Sequence, residues 1–226
     1  MDNPVIVAID GPSGTGKSST SKAVAARLGL SYLDTGAQYR AMTWWMLANG
    51  VDVQDPAAVA DASGKPVVTS GTDPLHPQIS VDGTDVSGPI RSQEVTAAVS
   101  AVSAVPEVRA RMVDFQRRTA AAAPAGIVVE GRDIGTTVLP AATVKIFLTA
   151  SAEVRAARRS GELNGAVSVA ATREALIRRD AADSGRTTSP LAKADDAVEV
   201  DTSELTLDEV VDRIVALVEQ RRAAVR

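Results

Sequence analysis

The stretch "VIVAIDGPSGTGKSST", residues 5–20, constrains the fold more than any other part of the 226-residue chain. It begins with five aliphatic residues that run into a turn, the pattern of a strand buried on both faces of a parallel sheet. Gly11, Gly16, Lys17 and Ser18 then satisfy G-x-x-x-x-G-K-[ST]. Glycines reach backbone angles that turn successive N–H groups inward. The loop Gly11, Pro12, Ser13, Gly14, Thr15 and Gly16, with Ser19 just beyond it, is therefore expected to form a concave nest for an anion. A helix starting near Lys17 adds its positive dipole end. Lys17 is expected to reach the β- and γ-phosphates of a nucleoside triphosphate, and the Ser18 hydroxyl to ligate Mg²⁺. This strand–loop–helix unit commits the chain to an α/β architecture.

The remaining pattern agrees. A helix over 17–28 ends at Gly29, a strand and turn occupy 31–36, and a helix follows over 37–50. Buried strands are expected at 126–135 and 143–150, an edge strand at 196–203 and a closing amphipathic helix over 207–222. That makes five core strands in a parallel sheet flanked by helices. Between residues 65 and 88 the chain clusters Gly, Pro, Asp and Ser around "PVVTS" and "QISVDGTDVS". Asp82-Gly83 reads there as a hairpin turn within a small antiparallel insertion. Helices are expected at 91–104 and 106–122, the second opening on Pro106.

Composition excludes several function classes. With no cysteine, the chain has no disulfide, zinc-thiolate site or thiol nucleophile. A formal charge of -4 and a pI near 5.1 leave no broad basic face, so neither nucleic acid nor an acidic membrane is an expected partner. No run of about 18 apolar residues exists, and no basic region precedes the N-terminal apolar run, so a cytoplasmic protein is expected. His76, the single histidine, sits between Pro74 and Pro77 with no evident partner and is not expected to be catalytic. Trp44-Trp45, with Met42 and Met46, reads as helix packing rather than a base-stacking platform.

What accepts the phosphate is the open question. A guanine switch would carry [NT]-K-x-D, but "LAKADD" places Ala192 at the Asn/Thr position. Arg155, Arg158 and Arg159 lie at i, i+3 and i+4, on one helical face where like charges repel and an anion is welcome. Pairing with Glu162 across a turn is the plainer alternative. Arg179, Asp183 and Arg186 align at i, i+4 and i+7 if the helix continues past Ser184-Gly185, either as a salt-bridge network or as a phosphate fork. Arg132 and Asp133 follow a buried strand directly, at the carboxyl edge of the sheet where ligands of parallel α/β folds bind.

Taken in order, "IDGPSGTGKSS", "LDTGAQYRA", "DVSGPIRSQEV", "VSAVPEVR", "EGRDIGTTV", "VKIFLTAS", "RRDAADSGR" and "DDAVEVDTS" resemble the bacterial cytidylate kinases over nearly the whole chain. The phosphate loop is shared by many kinases, whereas the ordered combination is specific. The resemblance implies a P-loop nucleoside-monophosphate-kinase fold with a core at 1–62 and 106–226. A monophosphate-binding insertion would occupy 63–105, and a short helical lid 156–170, with "GELNGAVS" as its mobile tip. It implies that ATP phosphorylates CMP and dCMP with Mg²⁺. No surplus apolar helix face is evident in the sequence, so a monomer is expected. Arg40, Arg132 and Arg186 would hold the acceptor phosphate, with Thr35 nearby. Ser100, Arg109 and Asp133 would face cytosine, and Arg179 and Asp183 the ribose. Lys17, Arg132, Arg155 and Arg159 would stabilise the transferred group, with Arg158 beside ATP. Glu130 stands where relatives often have Asp, which leaves its relation to the metal open. The alternatives are a kinase for UMP, AMP or a small metabolite, and a non-catalytic ATP-binding regulator.

Overall fold

A computed structural model describes residues 4–162 and 166–224. Five parallel strands form the central sheet: β1 (Val5–Asp10), β2 (Ser31–Asp34), β6 (Gly126–Gly131), β7 (Val144–Thr149) and β8 (Val198–Asp201). Their spatial order is β2-β6-β1-β7-β8. The chain leaves β1 for β2 and later returns with β6 between them, then with β7 on the far side. The connections thus diverge on either side of β1, and the crevice beyond the carboxyl ends of β1 and β6 is where such a sheet takes ligands.

Helices cover both faces. Helix α1 (Lys17–Leu28) and helix α8 (Leu207–Ala224) lie on one, where Val24, Ala25, Val211, Ile214 and Val218 pack on Val7, Ile9 and Ile146. On the other, Leu33, Ile127 and Val129 meet Ala120 of α5 (Pro106–Ala121) and Ile134 and Val138 of the π-helical turn after β6. Each such aliphatic side chain contributes roughly 1.5–3 kcal/mol by leaving water. With so few aromatics, small close-packed residues supply most of the core. Among the described residues no helix is long and apolar enough to cross a membrane.

The insertion is a three-stranded antiparallel sheet, β3 (Val68–Ser70), β4 (Ile79–Val81) and β5 (Thr84–Asp85). Asp82 and Gly83, both with positive φ, turn β4 into β5 as the Asp-Gly pair predicts. This sheet rests on α2 (Thr35–Ala48): Ile79, Val81, Val86 and Ile90 cluster with Ala41, flanked by Trp44 and Trp45. Met42 and Met46 are buried as expected. The tryptophans are only half-buried, and Trp45 Nε1 donates to Asp82 Oδ2 at 3.0 Å, so their role is to seat the insertion on the core.

Several boundaries differ from the sequence expectation. No turn separates β2 from α2, because the Asp34 side chain accepts the Ala37 N–H and caps the helix at once. The expected 91–104 helix is a 3₁₀ turn (Pro89–Arg91) followed by α4 (Gln93–Ala104), with Ser92 as the cap between them. Helix α3 (Pro56–Ala62) was not anticipated, although Asp55 caps it and Pro56 opens it. Helices α6 (Ala152–Glu162) and α7 (Val169–Ser184) carry most of the lid segment, and residues 163–165 at its expected tip lie outside the described residues. His76 is exposed, yet Asp73 Oδ2 lies 3.3 Å from its Nδ1, so it does have a partner.

Candidate active site

The loop between β1 and α1 turns on Gly11, Gly14 and Gly16, with φ of 147°, 80° and 87°. A Cβ on Gly11 would stand 2.2 Å from the Leu148 carbonyl oxygen, so only glycine lets the loop pass β7. No side chain caps α1 at Gly16, which leaves the first N–H groups of the helix for an anion. Lys17 is buried, and its Nζ donates to the Pro12 carbonyl oxygen at 2.6 Å. Burial, followed by the nearby Arg132 guanidinium, pulls the Lys17 ammonium well below the usual lysine range. Ser18 and Ser19 are exposed at the mouth of the loop.

Two buried carboxylates end the neighbouring strands. Asp10 accepts the N–H groups of Ile134 and Gly135, each at 2.8 Å, and thereby fixes the turn after β6. Burial nevertheless pushes its pKa up to about 6. Glu130 accepts from the Tyr32 hydroxyl at one oxygen and from Ser18 Oγ at the other, the latter at 3.0 Å. Burial, then the nearby Asp34, pushes Glu130 up to about 7. A hydroxyl and a carboxylate side by side at a phosphate loop are a hard-oxygen donor set that suits Mg²⁺. Among the described residues no group of three or more Asp, Glu, His or Cys side chains could hold a metal alone. A cation at Ser18 would share its shell with nucleotide phosphates and water.

Beyond β6, consecutive residues part company. Arg132 Nε donates to Asp183 Oδ2 at 3.0 Å and its Nη2 to Ser13 Oγ at 2.6 Å. Asp133 pairs with the Arg109 guanidinium, and both are buried. Arg109 Nη1 donates to the Ser103 carbonyl oxygen at 3.3 Å, and its guanidinium carbon lies 5.4 Å from the Tyr39 ring centre. The Tyr39 hydroxyl and Arg109 Nε are buried with no hydrogen-bond partner among the described residues, two polar atoms left over close together. Ser100 lies half-buried one turn before Ser103 on α4. A cavity of about 530 Å³ opens between the α4–α5 junction and the end of α7, lined by Ala104, Pro106, Ala182, Gly185, Arg186, Thr187 and Thr188. Thr35 sits at the other end, its hydroxyl donating to the Glu130 carbonyl oxygen at 2.7 Å.

Cations gather between the two ends. Arg40 Nη1 donates to Thr96 Oγ1 at 2.9 Å and to the Ile90 carbonyl oxygen at 3.2 Å, which ties α2 to the insertion. Its pKa falls to about 10, through burial and then Arg159. Arg179 falls further, to about 9, through burial and then Arg132 and Arg40. Its Nε is buried without a partner among the described residues. Guanidiniums buried this close together, each depressed by burial and then by its neighbours, suit a multiply charged anion.

The structure revises two expectations. Asp183 pairs with Arg132 and, at 4.0 Å, with Arg186; Arg179 is not among its partners. The α7 helix ends at Ser184, so Arg186 leaves the face that an unbroken helix would have shared. Each of the three lid arginines also has its own partner in the protein. Arg155 pairs with Asp180, Arg158 donates to Thr202 Oγ1 and carbonyl oxygen at 2.9 and 2.6 Å, and Arg159 pairs with Glu162 at 2.6 Å, the plainer alternative. Sequence reasoning missed Asp10, Tyr39, Asp180 and Thr202. The spacing in "RRDAAD", which puts Asp180 one turn before Asp183, was the available signal for one of them.

A family model described as Cytidylate kinase matches residues 7–220. A cytidylate kinase of Streptomyces coelicolor is 76% identical over 97% of this chain and 94% of its own length. One from Streptomyces avermitilis is 73% identical over 97% and 95%. Among solved structures, an uncharacterized protein from Eubacterium ventriosum aligns over 96% of this chain and 99% of its own with a TM-score of 0.53. At 11% identity, that likeness concerns the fold alone.

Proposed function

This chain belongs to the cytidylate kinase family, and from that premise we propose how its residues share the transfer of a phosphoryl group from ATP to CMP or dCMP. The donor triphosphate lies in the loop 11–16, with Lys17 at the β- and γ-phosphates and Ser19 beside the helix start. Ser18, supported by Glu130, would hold the Mg²⁺, which neutralises charge on the phosphates when bound. CMP enters from the insertion side. Arg40, Arg132, Arg179 and Arg186 surround its phosphate, and Thr35 borders it. Asp183 faces the ribose, while Ser100, Arg109 and Asp133 read the cytosine edge.

The observation that carries this reading is the arginine cluster around Arg179. Buried together, its charges oppose one another and are only partly offset, by Asp183 and Asp34, next to a loop built for a second phosphate group. A monophosphate there would relieve the repulsion and sit in line with the donor. Phosphoryl transfer asks for alignment and charge compensation more than covalent help. No general base is required, because a nucleoside monophosphate is already an anionic nucleophile near neutral pH. Arg132 links the acceptor phosphate to the loop, and Arg155 and Arg159 lie on the lid helix to offset charge on the group in transit. Closing the lid keeps out water, the competing acceptor. The enzyme works on free nucleotides as a cytoplasmic monomer, with neither nucleic acid nor membrane as partner.

The test is an acceptor panel of CMP, dCMP, UMP and AMP with ATP and Mg²⁺ in a coupled assay. CMP and dCMP should be turned over fastest. A preference for UMP or AMP would overturn the assignment of Asp133 and Arg109 to cytosine.

A further inference from the structure

Ser13 is bound at every polar atom it has, and by three different elements. Its N–H donates to Asp180 Oδ1 on α7 at 3.3 Å. Its carbonyl oxygen accepts from Arg155 Nη1 on α6 at 3.1 Å, and its hydroxyl accepts from Arg132 at 2.6 Å. Two carboxylates on α7 stand behind these contacts: Asp180 pairs with Arg155, and Asp183 with Arg132. Being three residues apart, they project from one helix face. The loop backbone also presses on the lid helix, since a Cβ at Gly14 would lie 3.1 Å from both Cβ and carbonyl oxygen of Arg155.

We propose that Asp180 is a positioning residue for phosphoryl transfer, holding the Arg155 guanidinium against the phosphate loop and locking loop, lid helix and α7 into one unit. The inference rests on the reading of Arg155 as a group that offsets charge on the transferred phosphoryl. An arginine side chain is long, and aiming it before the nucleotide arrives removes rotamer freedom that would otherwise be lost during the reaction. Asp180 supplies that aim with one oxygen on the guanidinium. With the other it holds the Ser13 N–H, so the arginine is oriented relative to the loop itself and not to solvent. Because α7 also carries Arg179 and Asp183, the same carboxylate ties donor geometry to the helix that grips the acceptor. Asp180 does not face the cavity beside Arg186, and it is not among that cavity's lining residues.

The experiment is steady-state kinetics with ATP, Mg²⁺ and CMP on the full chain and its variants Asp180→Asn, Arg155→Gln and the double variant, alongside thermal melting. Asp180→Asn keeps the shape and weakens the ion pair. It should lower kcat about tenfold or more, with KM for CMP within about twofold of the parent. The double variant should be no slower than Arg155→Gln alone, as expected if Asp180 acts through Arg155. Asp180→Glu, which restores the charge, should recover part of the loss. An unchanged kcat in Asp180→Asn, or losses that multiply in the double variant, would overturn the proposal even where melting temperatures shift. Loss of kcat in Arg155→Gln alone, without loss in Asp180→Asn, leaves the lid reading standing and overturns only the proposal. Full kcat in Arg155→Gln removes both. Should Asp180→Asn not fold, Asp180→Ser makes the same comparison at this partly exposed position.

Discussion

Arg132 donates to Ser13 Oγ across 2.6 Å, so the residue after β6 is fastened to the loop after β1. Its neighbour Asp133 turns the other way and pairs with Arg109 beneath the insertion. One dipeptide thereby spans the two halves of the site, and substitutions at its two positions should fail differently. Arg132→Ala should lower kcat/KM for CMP by about two to three orders of magnitude while CMP retains its preference over UMP. Rates for both acceptors in the coupled assay check this. Loss of the preference would mean that Arg132 reads the base.

Asp133→Ala leaves the Arg109 guanidinium buried and unpaired. Removing one partner of a buried pair costs about 3–5 kcal/mol, so urea unfolding should show a large loss of stability. The survivors should turn over CMP far more slowly while their affinity for ATP stays near the parent value. Equal losses with CMP and UMP would count against a base contact at this position.

Stability should respond to pH through Asp10. The native carboxyl keeps its proton up to about pH 6, whereas an unfolded chain releases it near pH 4. The native state therefore binds more protons inside that window, and stability falls as pH rises through it. The cost is complete above about pH 6 and is relieved toward pH 4. Asp10→Asn cannot titrate, so parent minus variant stability should decline by about 2–3 kcal/mol between pH 4 and 6.5. Chemical denaturation at several pH values measures it, and a flat difference would rule out the raised carboxyl.

Arg179 is held at a cost that a bound anion should offset. Arg179→Ala should stabilise the nucleotide-free protein by about 1 kcal/mol, seen as a raised melting temperature, while weakening CMP binding. In the parent, CMP at a hundred times its Kd should add about 2.7 kcal/mol of stability. Differential scanning calorimetry with and without CMP separates these effects. A variant less stable than the parent without nucleotide would show that Arg179 contributes structurally.

Gly11 tests the loop itself. At a φ of 147°, with the Leu148 carbonyl oxygen 2.2 Å from any added Cβ, Gly11→Ala must shift backbone on β1 or β7. A loss of about 3 kcal/mol or more is expected, read as a lowered midpoint in urea. A normal midpoint would require the loop to pass β7 by another path.

Residues 5–20 by themselves determined the strand, the phosphate loop and the helix, because local backbone geometry there depends on glycine and on side-chain periodicity. The five strands, the Asp82-Gly83 hairpin and the Pro106 helix start were legible for the same reason: each is written in contiguous residues. Helix α3 was equally local, and its Asp55-Pro56 start was overlooked. What only the tertiary structure decided is which charge meets which. Asp183 takes Arg132 rather than Arg179, and the three lid arginines find three separate partners, Asp180, Thr202 and Glu162. Those partners lie 51, 25, 44 and 3 positions apart in the chain. Three of the four pairs thus depend on how α6, α7 and β8 pack around the sheet, and helical spacing does not carry that information. Burial likewise acts through the whole fold: Asp10 and Glu130 are ordinary carboxylates in sequence and become high-pKa groups only where neighbouring strands exclude water.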